Sequence, residues 1–385
     1  WLKEGLSIEC HTIDHPCPLL QGGDLPKAKS TYDRCVDLMN QIPGNKPVAF
    51  RMPCCDSLNT PSPRFWTEIF NKTTENGHYL QIDSSVFNIT TSNDKDLPRE
   101  LVLDANGQER FRKYLPFKSF VNTIEDYPYP YIIGGTCWEF PCIVPSDWEA
   151  QNVQQPNNPQ TVEDMKAALD AVVIKQGTFN LVFHPHGWIR NDQIVELIDH
   201  AVEKHGKKVK FLTFREAIER INHNLLDGSS LRKEDGSANN IQLRDINRDG
   251  RLEVVNGNSN EQFHSTFAGQ LPVGIKAEKG RDTGIRLVDV NGDGFDDIIF
   301  SNEELYSLHL WKNSEEGWSI KVIEGIRGQE GGIGPVIPMI VRADGTNNGV
   351  WFHSRSMWVQ NEDTNRLPDL VDRLSFDKML EGQVK

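Results

Sequence analysis

His11-Thr12-Ile13-Asp14-His15 carries two imidazoles four positions apart. On a helix that spacing puts both rings on one face, close enough to share a metal ion. A capped helix start with surface histidines has the same spacing, so the pair needs company to mean more. Two other stretches supply it. Arg51 follows the short strand candidate Val48-Ala49-Phe50, and a charged residue at the C-terminal end of a strand faces the site in barrel-like α/β folds. His184 closes Asn180-Leu181-Val182-Phe183, which reads as a buried strand, and stands where a general acid or base would sit. His186 is the second candidate for that role.

A different chemistry is written in two oxygen-rich loops. Asp245, Asn247, Asp249 and Glu253 occupy positions 1, 3, 5 and 9 of one, and Asp289, Asn291, Asp293 and Asp297 the same positions of the other. Gly250 and Gly294 stand at position 6, where a tight turn is needed, and Arg251 and Phe295 at position 7 would each offer a backbone carbonyl. Ca²⁺ takes six to eight such oxygens. An EF-hand would also need a bidentate Glu at position 12, where this chain has Asn256 and Phe300, so EF-hands are excluded. The alternative is an Asx-rich turn without an ion. The loops resemble those of FG-GAP/VCBS integrin-type propeller repeats, a likeness that implies structural calcium and a role in adhesion or substrate targeting.

The elements that must position these residues fall into two regimes. Over residues 1–223 helical and strand patterns alternate. Val162, Met165, Ala168, Leu169 and Val172 recur at helical spacing, as do Ile194, Leu197, Ile198 and Val202. Val209-Lys210-Phe211-Leu212 reads as a strand and Phe214 to Ile221 as a closing helix. Alternation of this kind favours an α/β fold with a parallel sheet. Asp56 to Gln151, rich in Pro, Asn and aromatics, is expected to form long loops with a few short strands. Residues 224–239 are polar and turn-rich, as a linker would be. Residues 240–385 lose helical periodicity and show short strand-like runs punctuated by Gly and Asn, an all-β pattern. The two Asp loops lie 44 positions apart, a period suited to propeller blades, and a decayed third copy is expected near Asp344-Gly345-Thr346-Asn347-Asn348-Gly349.

Composition sets the outer bounds. A chain of 385 residues exceeds what one core usually serves, and 37% apolar with 25% charged residues is ordinary for a water-exposed protein. The net charge of −14 argues against nucleic acid and anionic membranes as partners. No run approaches the roughly 20 apolar residues that span a bilayer. The seven cysteines, Cys10, Cys17, Cys35, Cys54, Cys55, Cys137 and Cys142, contain no CxxC pair, so disulfides in an oxidising compartment are the better reading than a zinc knuckle. That points to a secreted, extracellular or periplasmic protein.

The ordered set of motifs resembles the NodB-homology polysaccharide deacetylases over residues 1–223. Their His-[Ser/Thr]-x-[Ser/Thr]-His motif is met by His11 to His15 except at Asp14, their Arg-x-Pro by Arg51-Met52-Pro53, their Asp-Trp by Asp147-Trp148, and their strand-ending His by Leu181 to His184. His184-Pro185 and Glu139-Phe140-Pro141 look like the peptidoglycan-deacetylase and allantoinase-like branch. The resemblance implies an incomplete, deformed (β/α) barrel. It also implies Zn²⁺ or a similar ion on His11 and His15, an acetylated polysaccharide as substrate, His184 as acid, and Arg51 as orienter of a base. The family's first motif, two adjacent Asp residues supplying that base and a third metal ligand, precedes His11 and is not in this sequence, so the chain is expected to turn over little substrate. Cysteines 10, 17, 54 and 55 flank the motifs, and disulfides among them would brace the site. Two other readings stand beside this one: a catalytically dead glycan-binding or adhesion protein, and a metallohydrolase acting on a small amide.

Calcium removal tests the loop reading. EDTA should lower the melting temperature in a way that added Ca²⁺ reverses; an unchanged melting curve means the loops hold no ion.

Overall fold

The computed structural model describes residues 1–20, 24–55, 62–115, 123–239, 241–244, 253–256, 271–272, 275, 282–368 and 371–382. The chain divides into two compact units. The first comprises Trp1–Gln21, Pro26–Pro61 and Thr73–Ser229; the second comprises Gly22–Leu25, Ser62–Lys72 and Ser230–Lys385.

The first unit mixes helices with short parallel strands. Helix α1 spans Leu25–Gln41. Strands β1 (Ala49–Phe50), β2 (Ile82–Asp83), β3 (Phe87–Ile89), β4 (Ile124–Glu125), β5 (Tyr131–Ile133), β6 (Cys137–Glu139) and β7 (Cys142–Ile143) follow. They form one sheet in the order β1-β2-β6-β5 and a second in the order β4-β3-β7. Every pairing is parallel except β5 with β6. Cys10 adds a parallel bridge beside Phe50, and Asn180 one beside Cys142. These strands do not close into a barrel among the described residues. Strands β1, β2, β3, β6 and β7 are buried throughout, as parallel strands are: Phe50, Ile82, Ile89, Cys142 and Ile143 are all buried, whereas β4 and β5 are partly exposed.

Beside a single turn at Arg99–Val102, the longer helices that follow in this unit are α2 (Asp147–Val153), α3 (Pro159–Lys175), α4 (Asn191–His200) and α5 (Phe214–Asn224). Each start is encoded locally. Ser146 and Glu149 form a reciprocal capping box for α2, and Thr213 and Glu216 another for α5. Asn158 caps α3, with Pro159 as its first residue. The apolar stripe of α3 packs where periodicity predicts, with Val162, Met165, Ala168, Leu169 and Val172 all buried. Two expected strands differ. Asn180 to Phe183 makes only the single bridge at Asn180, and Val209 to Leu212 has no ladder partner among the described residues, leaving Phe211 exposed.

The second unit is antiparallel. Strands β8 (Ile241–Arg244) and β9 (Glu253–Asn256) form a hairpin; β10 (Ile285–Val288), β11 (Asp297–Ser301), β12 (Leu305–Leu310) and β13 (Ile320–Ile326) form a four-stranded meander. A third sheet contains β14 (Val350–His353), β15 (Ser356–Val359) and β16 (Asp372–Ser375). No closed propeller forms among the described residues. Strand β11 is buried on both faces. Ile299 joins a core with Leu308, Ile323, Ile340 and Met357, while Ile298 and Phe300 pack on the opposite side with Trp318. Each such side chain contributes roughly 1.5–3 kcal/mol by burial.

The internal repeat is visible in the backbone. Arg244 pairs with Glu253 across one hairpin and Val288 with Asp297 across the next, so both Asp loops join their strands in the same register. The segment near Asp344 belongs to a different repeat. Its turn, closed by the bridge Val341↔Asn347, matches the turn closed by Arg232↔Ala238. In both, an Asp accepts the backbone N–H and the hydroxyl of the residue two positions on: Asp344 from Thr346, and Asp235 from Ser237. The polar stretch 224–239 therefore carries ordered structure, including the end of α5 and this hairpin turn.

Gly349 sits at φ +79°, and a Cβ there would lie 1.9 Å from the Gln360 carbonyl oxygen. Gly349→Ala should cost the second unit at least about 2 kcal/mol in denaturant unfolding; a loss within error would show that this close approach is absent.

Candidate functional site

The site begins with a strand edge. The Glu9 carboxylate accepts the backbone N–H groups of Val48 and Ala49 at 2.7 and 2.8 Å. Cys10 N–H donates to the Ala49 carbonyl, and Arg51 N–H to the Cys10 carbonyl, each at 3.1 Å. This brings His11 to the same end of the sheet as Arg51. His11 Nδ1 then donates to the Arg51 carbonyl oxygen at 2.7 Å, leaving Nε2 with its lone pair free.

His15 joins His11 by a loop, not a helix. Thr12 and His15 adopt positive φ values of 66° and 50°. Thr31 on α1 accepts the backbone N–H groups of Ile13 and Asp14, and Thr12 Oγ1 accepts that of His15. The two rings meet edge to face with centroids 4.9 Å apart. Asp14 points the other way, toward Arg34 on α1 at 3.8 Å. A disulfide between Cys17 and Cys54 ties the far end of this loop to the chain just after Arg51. Cys10, Cys35, Cys55, Cys137 and Cys142 are buried and form no disulfide, so only one of the bridges suggested by the flanking cysteines forms.

Arg51 reaches across the sheet. Its guanidinium donates to the Ser84 carbonyl oxygen at 2.9 Å, to Ser84 Oγ at 2.5 Å and to Asn180 Oδ1 at 3.3 Å. Burial opposes its charge, and the Cys142, Cys55, Asp83 and Glu139 side chains more than offset that, so its pKa is raised. No carboxylate is among its hydrogen-bond partners in the described residues.

His184 is half-buried and anchored. Its Nδ1 donates to Asp147 Oδ1 at 2.9 Å, and its backbone N–H donates to Asp147 Oδ2. Asp147 is fully buried at the first turn of α2, where the helix dipole favours a carboxylate. The sequence signal for this partner was the short Asp147-Trp148 match alone. The ring of His186 stacks on that of His184 at 5.8 Å, and Trp188 tilts against both at 5.0–5.1 Å.

His11 and His184 lie close enough to repel electrostatically. Burial is the main cause of His11's lowered pKa, and His15, Arg51 and His184 each push it the same way, against the raising effect of the Arg51 carbonyl. His11, His15, Arg51 and His184 thus gather at one end of the sheet, with His186 beside them. A neutral His11 whose Nδ1 is committed to a carbonyl fits the donor set of a metal-binding imidazole. Around His11 and His15, however, the described residues place no third His, Cys, Asp or Glu ligand atom. Among the described residues, the one group of three such atoms, all within 4.8 Å of one another, is Asp170, His200 and His205.

Sequence reasoning missed a buried acid pair below the arginine. Asp83 and Glu139 end the adjacent parallel strands β2 and β6 and face each other in register. Glu139 Oε1 accepts the N–H groups of Ser85 and Val86 at 3.0 and 2.9 Å, and Ser85 Oγ donates to Asp83 at 2.7 Å. Burial, followed by the Asp83 charge, pushes Glu139 well above the usual carboxyl range, which favours its protonated form.

In the second unit, Asp289 accepts the N–H groups of Gly292 and Gly294, and Asp293 that of Phe295. Asn291 accepts the Asp293 N–H and donates to its carboxylate. Asp297 is fully buried and accepts Val290 N–H and Trp311 N–H, both at 2.9 Å. Its pKa is pushed up to about 6, mainly by burial. The loop is an Asx network, its carboxylates turned onto backbone amides. Of the other loop, Asp245, Asn247, Asp249 and Arg251 lie outside the described residues, as does the Glu253 side chain.

No family model, no curated protein and no solved structure matches this chain.

Glu139 yields a pH prediction. The folded carboxyl keeps a proton that the unfolded chain sheds above the ordinary carboxyl value of 4.5, so this group's contribution to stability falls as pH rises from there through its folded pKa. Glu139→Gln, which mimics the protonated acid, should flatten that fall: near-equal stability to the parent at pH about 4.5 and a relative gain by pH about 8. A constant difference across the range contradicts the raised Glu139 pKa.

Proposed function

We propose that the first unit is the hydrolytic domain of a metal-dependent polysaccharide deacetylase and that the second is a calcium-binding β-repeat region serving targeting or adhesion, in a secreted or periplasmic protein. The observation that carries the reading is the gathering of His11, His15 and an Asp147-held His184 around Arg51.

In this reading His11 and His15 hold a zinc-type ion through their ring nitrogens, with the Arg51 carbonyl fixing the His11 ring. Such an ion, when bound, polarises an acetyl carbonyl and acidifies a water. His184 keeps its Nδ1 proton on Asp147, so Nε2 is the atom that delivers a proton to the leaving amine. Asp147 fixes the tautomer and stabilises the imidazolium that precedes delivery. Arg51, held by Ser84 and Asn180, keeps the floor of the site in place. In the second unit, the four-stranded meander and the Asp loop in equal register with its neighbour support a blade-like repeat.

A second reading has one observation in its favour. Only two ligands converge at His11 and His15 among the described residues, which suits a glycan-binding scaffold without chemistry.

The two are separated by acetate release from an acetylated chitin oligomer, using the full-length gene product with zinc. The deacetylase reading expects measurable release that falls about 10²–10⁴-fold in both His184→Ala and Asp147→Asn, with a far smaller effect of His186→Asn. Release that is undiminished in His184→Ala, or oligomer binding without release, sinks it.

A further inference from the structure

We infer that Asp170, His200 and His205 form a separate binding site for a divalent transition-metal ion of the zinc class, joining α3 to α4.

The residues converge because of a local departure from helical geometry. Five positions along a regular α-helix carry a side chain about 140° beyond a whole turn, so His200 and His205 would point to different sides. Here α4 passes into a π turn over Ala201–His205. The wider i→i+5 turn absorbs the extra residue and swings both rings to one face, and such turns recur at functional sites. The ring centroids lie 5.9 Å apart. Both Nε2 atoms reach the same carboxylate oxygen, Asp170 Oδ1, at 2.8 Å from His200 and 2.6 Å from His205.

Asp170 comes from α3 and is buried, with its side chain 9% exposed; His205 is 11% and His200 20% exposed. The site is therefore enclosed yet open to water on one side. Two imidazoles and one carboxylate, with further positions left for water, are the donor set that Zn²⁺, Co²⁺ or Fe²⁺ accepts. With the metal absent, both rings donate Nε2–H to Asp170. With it present, each ring carries its proton on Nδ1 instead and turns the Nε2 lone pair to the ion. The contacts then widen to about 3.3 Å, the spacing of ligands around a tetrahedral ion with bonds of 2.0–2.1 Å. Lys204 donates to the other oxygen, Asp170 Oδ2, at 2.7 Å. In the metal-bound state it stays there as the outer partner that orients the carboxylate, a common feature of such sites. None of these residues belongs to the His11–His184 group, so the inference stands or falls independently of the deacetylase reading.

The test uses the whole chain carrying His11→Ala and His15→Ala, saturated with Ca²⁺ and then titrated with Co²⁺ and with Zn²⁺. Expected is one equivalent of Co²⁺ with the visible absorption of a low-coordinate site, displaced by Zn²⁺. Adding His205→Gln or Asp170→Asn should weaken Co²⁺ binding at least tenfold. Glutamine at 205 can still donate to Asp170, so folding without metal is preserved, and circular dichroism checks this. No stoichiometric Co²⁺ in the parent, or equal binding by the folded His205→Gln variant, overturns the inference.

Discussion

The charge of Arg51 is the constraint around which the first unit is arranged. A partly buried guanidinium needs acceptors on more than one side, and here they come from Ser84 and Asn180, far apart in sequence. Satisfying it fixes the chain after β2 and the approach to His184. The same residue's backbone faces the other way: its N–H pairs with Cys10 and its carbonyl holds the His11 ring. One arginine thus couples the two histidine-bearing segments, and its removal would leave buried acceptors without a donor as well as freeing the His11 ring.

Below that arginine lies a store of buried acid. Asp83, Glu139 and Asp147 are all fully buried, yet they solve the problem differently. Asp147 stays paired, with a helix start behind it and the His184 N–H groups in front. Glu139, beside Asp83 at the strand ends, is pushed toward its neutral form, which lowers the number of charges the interior must hold. The second unit contains a single-residue version. Asp297 spends both oxygens on backbone amides that would otherwise be orphaned, so it organises its loop whether or not an ion is present.

Much of this was legible in the sequence where periodicity is long. The stripe of α3, the closing helix α5 and the strand runs of the second unit follow from residue type and spacing, whereas α2 forms inside a stretch expected to be loops. The sheet of the first unit was far less legible. Its strands are two or three residues long, too short to carry a period, and their pairing is set by contacts such as Cys10 with Phe50. The spacing of the histidine pair at 11 and 15 fits a helix. A loop with two left-handed residues, Thr12 and His15, achieves the same proximity, and no spacing rule anticipates it. His200 and His205 were invisible for the converse reason: a five-residue interval falls off the helical period, and only the π turn restores it. The Asp235 and Asp344 turns share a pattern that a 44-residue period hides.

The proposed site requires His11 and His184 to occupy one neighbourhood. Nuclear magnetic resonance titration of the His11 ring, in the parent and in His184→Gln, tests this directly. The His11 pKa should lie below the ordinary histidine value of 6.5 in the parent and rise when the His184 ring is removed. A His11 titration identical in the two proteins would contradict it.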